Sequence, residues 1–88
     1  MLVFVFTDQF FRDRIQLQAE NLKLIVKLFD LLGDINKDPY SGIGKLEPLK
    51  GNLSGCWSRR INDKHRLIYK VQDNKVMLIS CYGHYDDR

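Results

Sequence analysis

The chain has 88 residues, 44% hydrophobic and 28% charged, with 14 Lys and Arg against 11 Asp and Glu for a net charge of +3. That length suits one domain with one core, and the ordinary apolar fraction with modest net charge excludes a disordered chain. The longest apolar run, Met1–Phe6, falls far short of the ~20 residues of a membrane helix, and neither a basic lead-in nor a cleavage pattern marks a signal peptide, so a soluble cytoplasmic protein away from the membrane is expected.

In chain order, Leu2–Phe6 is β-branched and aromatic and reads as a short buried strand. Thr7 can cap a helix from Asp8 to about Gln18, with Phe6 and Phe11 placed as a hydrophobic staple. A second amphipathic helix begins at about Leu22. Leu22, Ile25, Phe29 and Leu32, flanked by Leu24 and Leu28, are expected to form its core stripe opposite Lys23, Lys27, Asp30 and Asp34. Gly33 ends this helix or weakens its last turn, and Pro39 argues against continuation past Lys37. From Asp38 to Gly55, Pro39, Gly42, Gly44, Pro48, Gly51 and Gly55 punctuate a long irregular connection, a length that tends to mark function in a small domain.

Three strand-like segments follow: Cys56–Ile61, Arg66–Val71 and Val76–Cys81. Asn62–His65 and Gln72–Lys75 join them, the second with an Asp73-Asn74 pair that favours a tight hairpin. With no crossover helix between them they should form an antiparallel meander. The expected fold is α+β: β-α-α-β-β-β, two N-terminal helices on one face of a mainly antiparallel four-stranded sheet. Alternation puts Leu67, Tyr69 and Val71 on one face and Arg66, Ile68 and Lys70 on the other. The Asp73-Asn74 turn sets Tyr69 opposite Leu78 and Arg66 opposite Cys81. A three- or five-residue loop would bring Arg60 to the face of Arg66; two or four residues would not.

Charge is unevenly spread. Residues 37–75 carry nine basic side chains against four acidic ones, interleaved with Tyr40, Trp57 and Tyr69, a mixture suited to phosphates and stacked bases. Trp57 is nonetheless expected in packing, and His65 in a structural or exposed role. Cys56 and Cys81 are too few and too far apart for a disulfide scaffold or a CxxC site, and they read as buried, reduced thiols. The spacing of the two histidines gives no zinc motif.

Glu47 in the Gly/Pro-rich loop and His84 after the last strand complete a chemical set. Cleavage of a phosphodiester by the neighbouring ribose 2′-OH needs a base, an acid and cations for the charge that builds on phosphorus. Glu47, His84, and Arg66 with Arg60 meet those needs, and no metal or other cofactor is required because the substrate carries its own nucleophile. On the residues alone, the reading stops at a basic α+β domain suited to RNA.

Gly44-Lys45, Glu47-Pro48-Leu49-Lys50, Asn52-Leu53-Ser54-Gly55, Trp57-Ser58-Arg59-Arg60-Ile61, His65-Arg66-Leu67 and the closing Cys81-x-x-His84-Tyr85 together resemble the YoeB family of RelE-superfamily bacterial toxins. The likeness spans essentially the whole chain. It implies a RelE-like fold and a messenger-RNA interferase that enters the ribosomal A site, pairs with a YefM-like antitoxin and often dimerises. By position it implies Glu47 as general base, His84 as general acid, Arg66 as transition-state clamp and Tyr85 as orienting group, with Arg60 and Lys50 binding phosphate; Arg59 and Lys45, from the basic segment, are expected to bind RNA beside them. Two departures stand out. Asp86, Asp87 and Arg88 extend past the His-Tyr pair, and Cys56 replaces a common aromatic. The alternative is a non-enzymatic module of the same fold, either a gyrase inhibitor like ParE relatives or a degenerate antitoxin-binding protein.

Overall fold

The computed structural model describes residues 1–84; Tyr85, Asp86, Asp87 and Arg88 lie outside it. The first strand forms where expected, but as a sheet edge it is mostly exposed rather than buried. Strand β1 (Val3–Phe6) runs into helix α1 (Asp8–Glu20), whose first turn is capped by Thr7: its Oγ1 accepts from Phe10 N at 3.1 Å and donates to Ile79 O at 2.7 Å. The cap therefore also ties the helix start to the sheet. The Phe6 and Phe11 rings lie 5.8 Å apart, forming the expected staple. Asn21 caps α2 (Leu22–Lys37) through its side chain to Lys23 N, and the helix runs through Gly33 to stop just ahead of Pro39.

Which face of α2 is buried differs from expectation. Leu24, Leu28, Leu31, Leu32 and Ile35 enter the core, whereas Leu22, Val26 and Phe29 are more than half exposed. Leu22 and Phe29 were assigned to the core stripe because α2 carries apolar residues at helical spacing on two sides. Periodicity alone cannot choose between them; the direction of the sheet does.

Strands β2 (Glu47–Pro48), β3 (Cys56–Arg60), β4 (Arg66–Gln72) and β5 (Lys75–Ser80) complete a five-stranded sheet in the order β1-β5-β4-β3-β2. The four expected strands are present, with β1 parallel to β5 and the rest antiparallel. The additional strand is the two-residue β2, paired with β3. It is too short to leave a hydrophobic pattern. Both helices cover one face, where Phe10, Leu17 and the α2 residues pack on Leu67, Tyr69, Val76 and Leu78. Trp57 packs against this core from its edge and contacts Tyr40 edge-on. A smaller cluster of Leu49, Cys56 and Ile68 lies on the other face, beneath the loop that carries β2 and the following single turn, Gly51–Leu53. Part of the face that carries Arg66, Ile68 and Lys70 is thus a covered apolar patch.

The β4–β5 hairpin has the expected turn. Asp73 adopts the left-handed φ of 57°, and Tyr69 faces Leu78. Farther along, a bulge between Ile68 and Tyr69 sets Ile68 opposite Ser80, which moves Arg66 away from its expected partner Cys81. Arg66 N donates instead to Gly83 O at 3.0 Å. Cys81 turns into the core, its backbone N donating to the buried Asp13 Oδ2 at 3.0 Å.

The long connection after α2 is held by one buried side chain. Arg59 is fully inaccessible, and all five of its donors are used. Nε donates to Tyr69 Oη at 3.1 Å, Nη1 to Asp34 Oδ2 at 2.6 Å and Ile43 O at 3.3 Å, and Nη2 to Asp38 O at 3.1 Å and Ser41 O at 2.8 Å. Tyr69 Oη in turn donates to Pro39 O at 2.6 Å. Gly42 closes over this centre with φ 124°, where a Cβ would fall 1.8 Å from Asp34 Oδ2. Arg59 was expected to bind RNA; with no surface and no spare donor, it cannot. Its basic residue type suggested a phosphate ligand, but its parity on β3 turns it inward.

Arg59→Lys keeps the charge yet cannot satisfy five acceptors in one plane, and should lower folding stability by about 3 kcal/mol, read as a reduced urea midpoint. An unchanged midpoint would remove this pair from the framework. Acid should act on the same contact. The Ile43 amide and then Arg59 hold the Asp34 carboxyl below the usual aspartate value of 3.8. The stabilisation is therefore complete above that value and drains away as pH falls through the lowered native one. Asp34→Asn should flatten this acid limb of the stability curve.

Candidate active site

Residues directly opposite in an antiparallel ladder share a face, so register alone assembles the site. Glu47 faces Ser58, Ser58 faces Ile68 and Ile68 faces Ser80, making one row across the helix-free side of the sheet. Arg60 faces Arg66 in the adjacent row. The β3–β4 loop is therefore Ile61–His65, five residues, one of the two lengths that place both arginines together. Glu47 is the diagonal neighbour of Arg60, at a separation of roughly 7–8 Å for such pairs. The Arg66 amide bond to Gly83 O then brings His84 to the end of the arginine row.

Arg66 is nearly buried, and its guanidinium is braced from one side only. Nη1 donates to Asn62 O at 2.5 Å and His65 O at 3.1 Å, while among the described residues Nε and Nη2 make no hydrogen bond. Arg60 is half-buried, and its Nε is a buried donor with no partner among the described residues. Its Nη1 lies 3.7 Å from Asp63 Oδ1, an exposed contact of little energetic weight. Two guanidiniums side by side on one face, with donors unused among the described residues, have the chemistry to receive an anion with several oxygens.

Glu47 is exposed at the sheet edge, and the loop around it is anchored on both sides. Upstream, Gly44 O accepts from Arg60 N at 2.5 Å, and downstream Leu49 N donates to Cys56 O at 2.9 Å. A Cβ at Gly44, where φ is 88°, would lie 2.8 Å from Leu31 Cδ2, so the close approach to the core requires glycine. Lys45 and Lys50 are exposed on the same loop, on either side of Glu47. The structure thus brings together Glu47, Arg60, Arg66 and the His84 turn, with the two lysines beside them; it removes Arg59, and Tyr85 lies outside the described residues.

A second polar group adjoins the site. His65 is 3% exposed; its Nδ1 accepts from Gly83 N at 2.8 Å, and its Nε2 lies 2.9 Å from Glu20 Oε2. Glu20 Oε1 accepts from Tyr82 Oη at 3.1 Å, and the His65 and Tyr82 rings lie 4.2 Å apart. The His65 contact, ahead of the other causes, lowers the Glu20 carboxyl, whereas the bond to Glu20 raises the Tyr82 phenol. His65 is buried and structural, one of the two roles expected for it. Glu20 escaped sequence reasoning because its partners lie 45 and 62 residues away. Both cysteines are buried, and burial followed by the Asp13 charge pushes the Cys81 thiol up to about 12, leaving it protonated at neutral pH.

A family model described as the YoeB-like toxin of bacterial type II toxin-antitoxin systems matches residues 6–85. Toxin YoeB of Synechocystis sp. (strain ATCC 27184 / PCC 6803 / Kazusa) is 48% identical over 80 residues, spanning 91% of this chain and 93% of that protein. The structure of the YoeB dimer from Staphylococcus aureus superposes with a TM-score of 0.84 at 44% identity, covering 96% of this chain and 98% of that one. The toxin in the heterotetrameric YoeB-YefM complex from the same organism gives a TM-score of 0.83 at 43% identity, covering 97% and 99%.

An unpartnered buried donor costs about 1–3 kcal/mol, so Arg60→Met should hold or raise stability by up to about 1 kcal/mol while weakening anion binding. A marked fall in the urea midpoint would mean that Arg60 serves the fold and is not kept for a ligand.

Proposed function

The chain belongs to the YoeB-like toxin family of bacterial type II toxin-antitoxin systems, and from that membership we propose that it is a ribosome-dependent endoribonuclease that cuts messenger RNA in the A site. The observation that carries the reading is the register that sets Glu47, Arg60 and Arg66 on one face, with Arg66 bonded to the turn leading to His84. Glu47, anchored at the sheet edge, takes the proton of the ribose 2′-OH. The freed oxygen attacks the adjacent phosphorus, forming a 2′,3′-cyclic phosphate as the bond to the 5′-oxygen breaks. His84 gives that leaving oxygen a proton.

Negative charge on the phosphoryl oxygens grows through this step, and the unused donors of Arg66 and Arg60 lie where it can be met. The Arg66 guanidinium is held by two carbonyls before the substrate arrives, so little reorganisation is needed there. Lys45 and Lys50 provide exposed charge for the flanking phosphates, and Tyr85 is assigned to orient the scissile nucleotide or the acid. The base, acid and cations account for the whole reaction with no metal in it.

The S. aureus relative is described both as a dimer and in complex with YefM. The same partners are proposed here: a YefM-like antitoxin and a second copy of the chain, in the cytoplasm where ribosomes are met. The anion socket would have to be covered or distorted in the neutralised complex.

Primer-extension mapping of a messenger on purified translating ribosomes tests the proposal. The wild type should cut in the A site, Glu47→Gln and His84→Ala should bind ribosomes without cutting, and Arg66→Ala should lose about 10²–10³-fold in rate, as for one oxyanion donor. Cuts that persist in His84→Ala would reassign the acid. A folded wild type that makes no cuts would favour the non-enzymatic alternative, and gyrase inhibition would then be assayed. Binding should also weaken steeply with added salt if Arg60, Lys45 and Lys50 neutralise phosphates; a flat response would contradict the basic groove.

A further inference from the structure

Beyond Ser80 the sheet ladder ends, and the chain that delivers His84 is captured by side chains one residue at a time. Asp13 accepts from the Cys81 amide, Glu20 from the Tyr82 hydroxyl, and His65 from the Gly83 amide. The last of these is next to the reactive residue. Gly83 is gripped at both ends, its N–H by His65 Nδ1 at 2.8 Å and its C=O by Arg66 N at 3.0 Å. Its φ of 83° is a left-handed value open to glycine, so these two bonds select one of the several conformations that glycine adopts. The Cα of His84 is the next atom set by that turn.

We propose that His65, oriented by Glu20, is a positioning residue for His84, and that the relay Glu20–His65–Gly83 aims the acid at the phosphate held by Arg66. This rests on His84 being the general acid. The chemistry fixes the state of the ring. A backbone N–H can only donate, so Nδ1 must carry a lone pair and the ring proton sits on Nε2, pointed at Glu20 Oε2. The carboxylate thus selects the tautomer that can hold Gly83, as carboxylates do for metal-bound or catalytic imidazoles elsewhere. The low Glu20 carboxyl keeps that acceptor ionised through neutral pH.

His65 itself cannot drift. Its amide donates to Asn62 Oδ1 at 2.8 Å, its carbonyl accepts from Ile61 N and from the Arg66 guanidinium, and its ring lies against Tyr82. Arg66 and His65 are therefore braced together. One loop sets both the cation that meets the phosphate and the ring that fixes the neighbour of the acid. A displacement of about 1 Å at such a group can cost 10²-fold in rate, so the relay has leverage on catalysis without touching RNA.

The test compares His65→Phe, His65→Asn and Glu20→Ala in the full chain. Phe keeps the ring against Tyr82 but has no acceptor for Gly83; Asn restores a carbonyl oxygen near the place of Nδ1. In single-turnover cleavage on ribosomes, His65→Phe should lose about 30-fold in rate at saturation with half-saturation unchanged, and Asn should recover most of that loss. Glu20→Ala, at a partly exposed position, should fold normally and lose several-fold, so the relay stays testable if the Phe variant is unstable. Amide exchange at Gly83 supplies a readout independent of cleavage: slow in wild type and His65→Asn, and at least about tenfold faster in His65→Phe. Wild-type cleavage by a folded His65→Phe, or equal Gly83 exchange in the two, would overturn the proposal. If the wild type does not cut at all, the nuclease reading fails, and the Gly83 amide still decides whether His65 holds that turn.

Discussion

The Arg59–Asp34 contact is the constraint on which the active face depends. A guanidinium buried without full pairing would cost several kcal/mol, and here every donor is used. Three of the five acceptors are main-chain carbonyls of the connection after α2, at Asp38, Ser41 and Ile43. Glycine- and proline-rich chain, which would otherwise be the most mobile part of the molecule, is thereby fixed in path. Gly44 follows directly, bonds Arg60, and passes the chain to Glu47 at the sheet edge. The base proposed at Glu47 would lose its orientation on an unanchored loop, so in that reading a buried ion pair far from the chemistry would act on it through geometry.

Arg59 and Arg60 are adjacent in sequence and opposite in fate because successive side chains of a strand point to opposite faces. Inward, the fork finds an aspartate, a tyrosine and three carbonyls and becomes structural. Outward, the Arg60 Nε is a buried donor with no partner among the described residues. The difference shows in the energetics: the inner arginine offsets its desolvation with five hydrogen bonds, whereas no such bonds offset the burial of the outer Nε among the described residues. Composition registers two basic residues; only the register of β3 separates the one that holds the loop from the one on the helix-free face.

Much of the fold was legible because its signals are local. The Thr7 cap, the Phe6–Phe11 staple, the stop before Pro39 and the Asp73 turn are each set by residues within a few positions of one another. The elements, their order and the helix-bearing face followed from them. The buried side of α2 was not legible, since Leu22, Val26 and Phe29 obey the same spacing as the residues that enter the core. Nor was the β4–β5 bulge, which takes one residue out of register at Ile68 and leaves no mark in the hydrophobic pattern. That slip sends Cys81 inward to Asp13 and sets Arg66 against Gly83, which is how the chain end reaches the arginine row.

The candidate site divides along the same line. Glu47, Arg60, Arg66 and His84 were recognisable as a chemical set, because a base, an acid and two cations are what cleavage by a 2′-OH demands. What holds them was not, because each support joins residues far apart in the chain: Arg59 to Asp34, His65 to Glu20, Gly83 to His65 and Arg66. These supports are polar and at least partly sheltered, and they occupy the seams between α1, the β3–β4 loop and the segment after β5. A domain of this size has too small an apolar core to fix every loop by packing, so buried hydrogen bonds set the directions that packing leaves free. Candidate groups such as Glu47 can then remain at the surface, while their orientations are decided underneath.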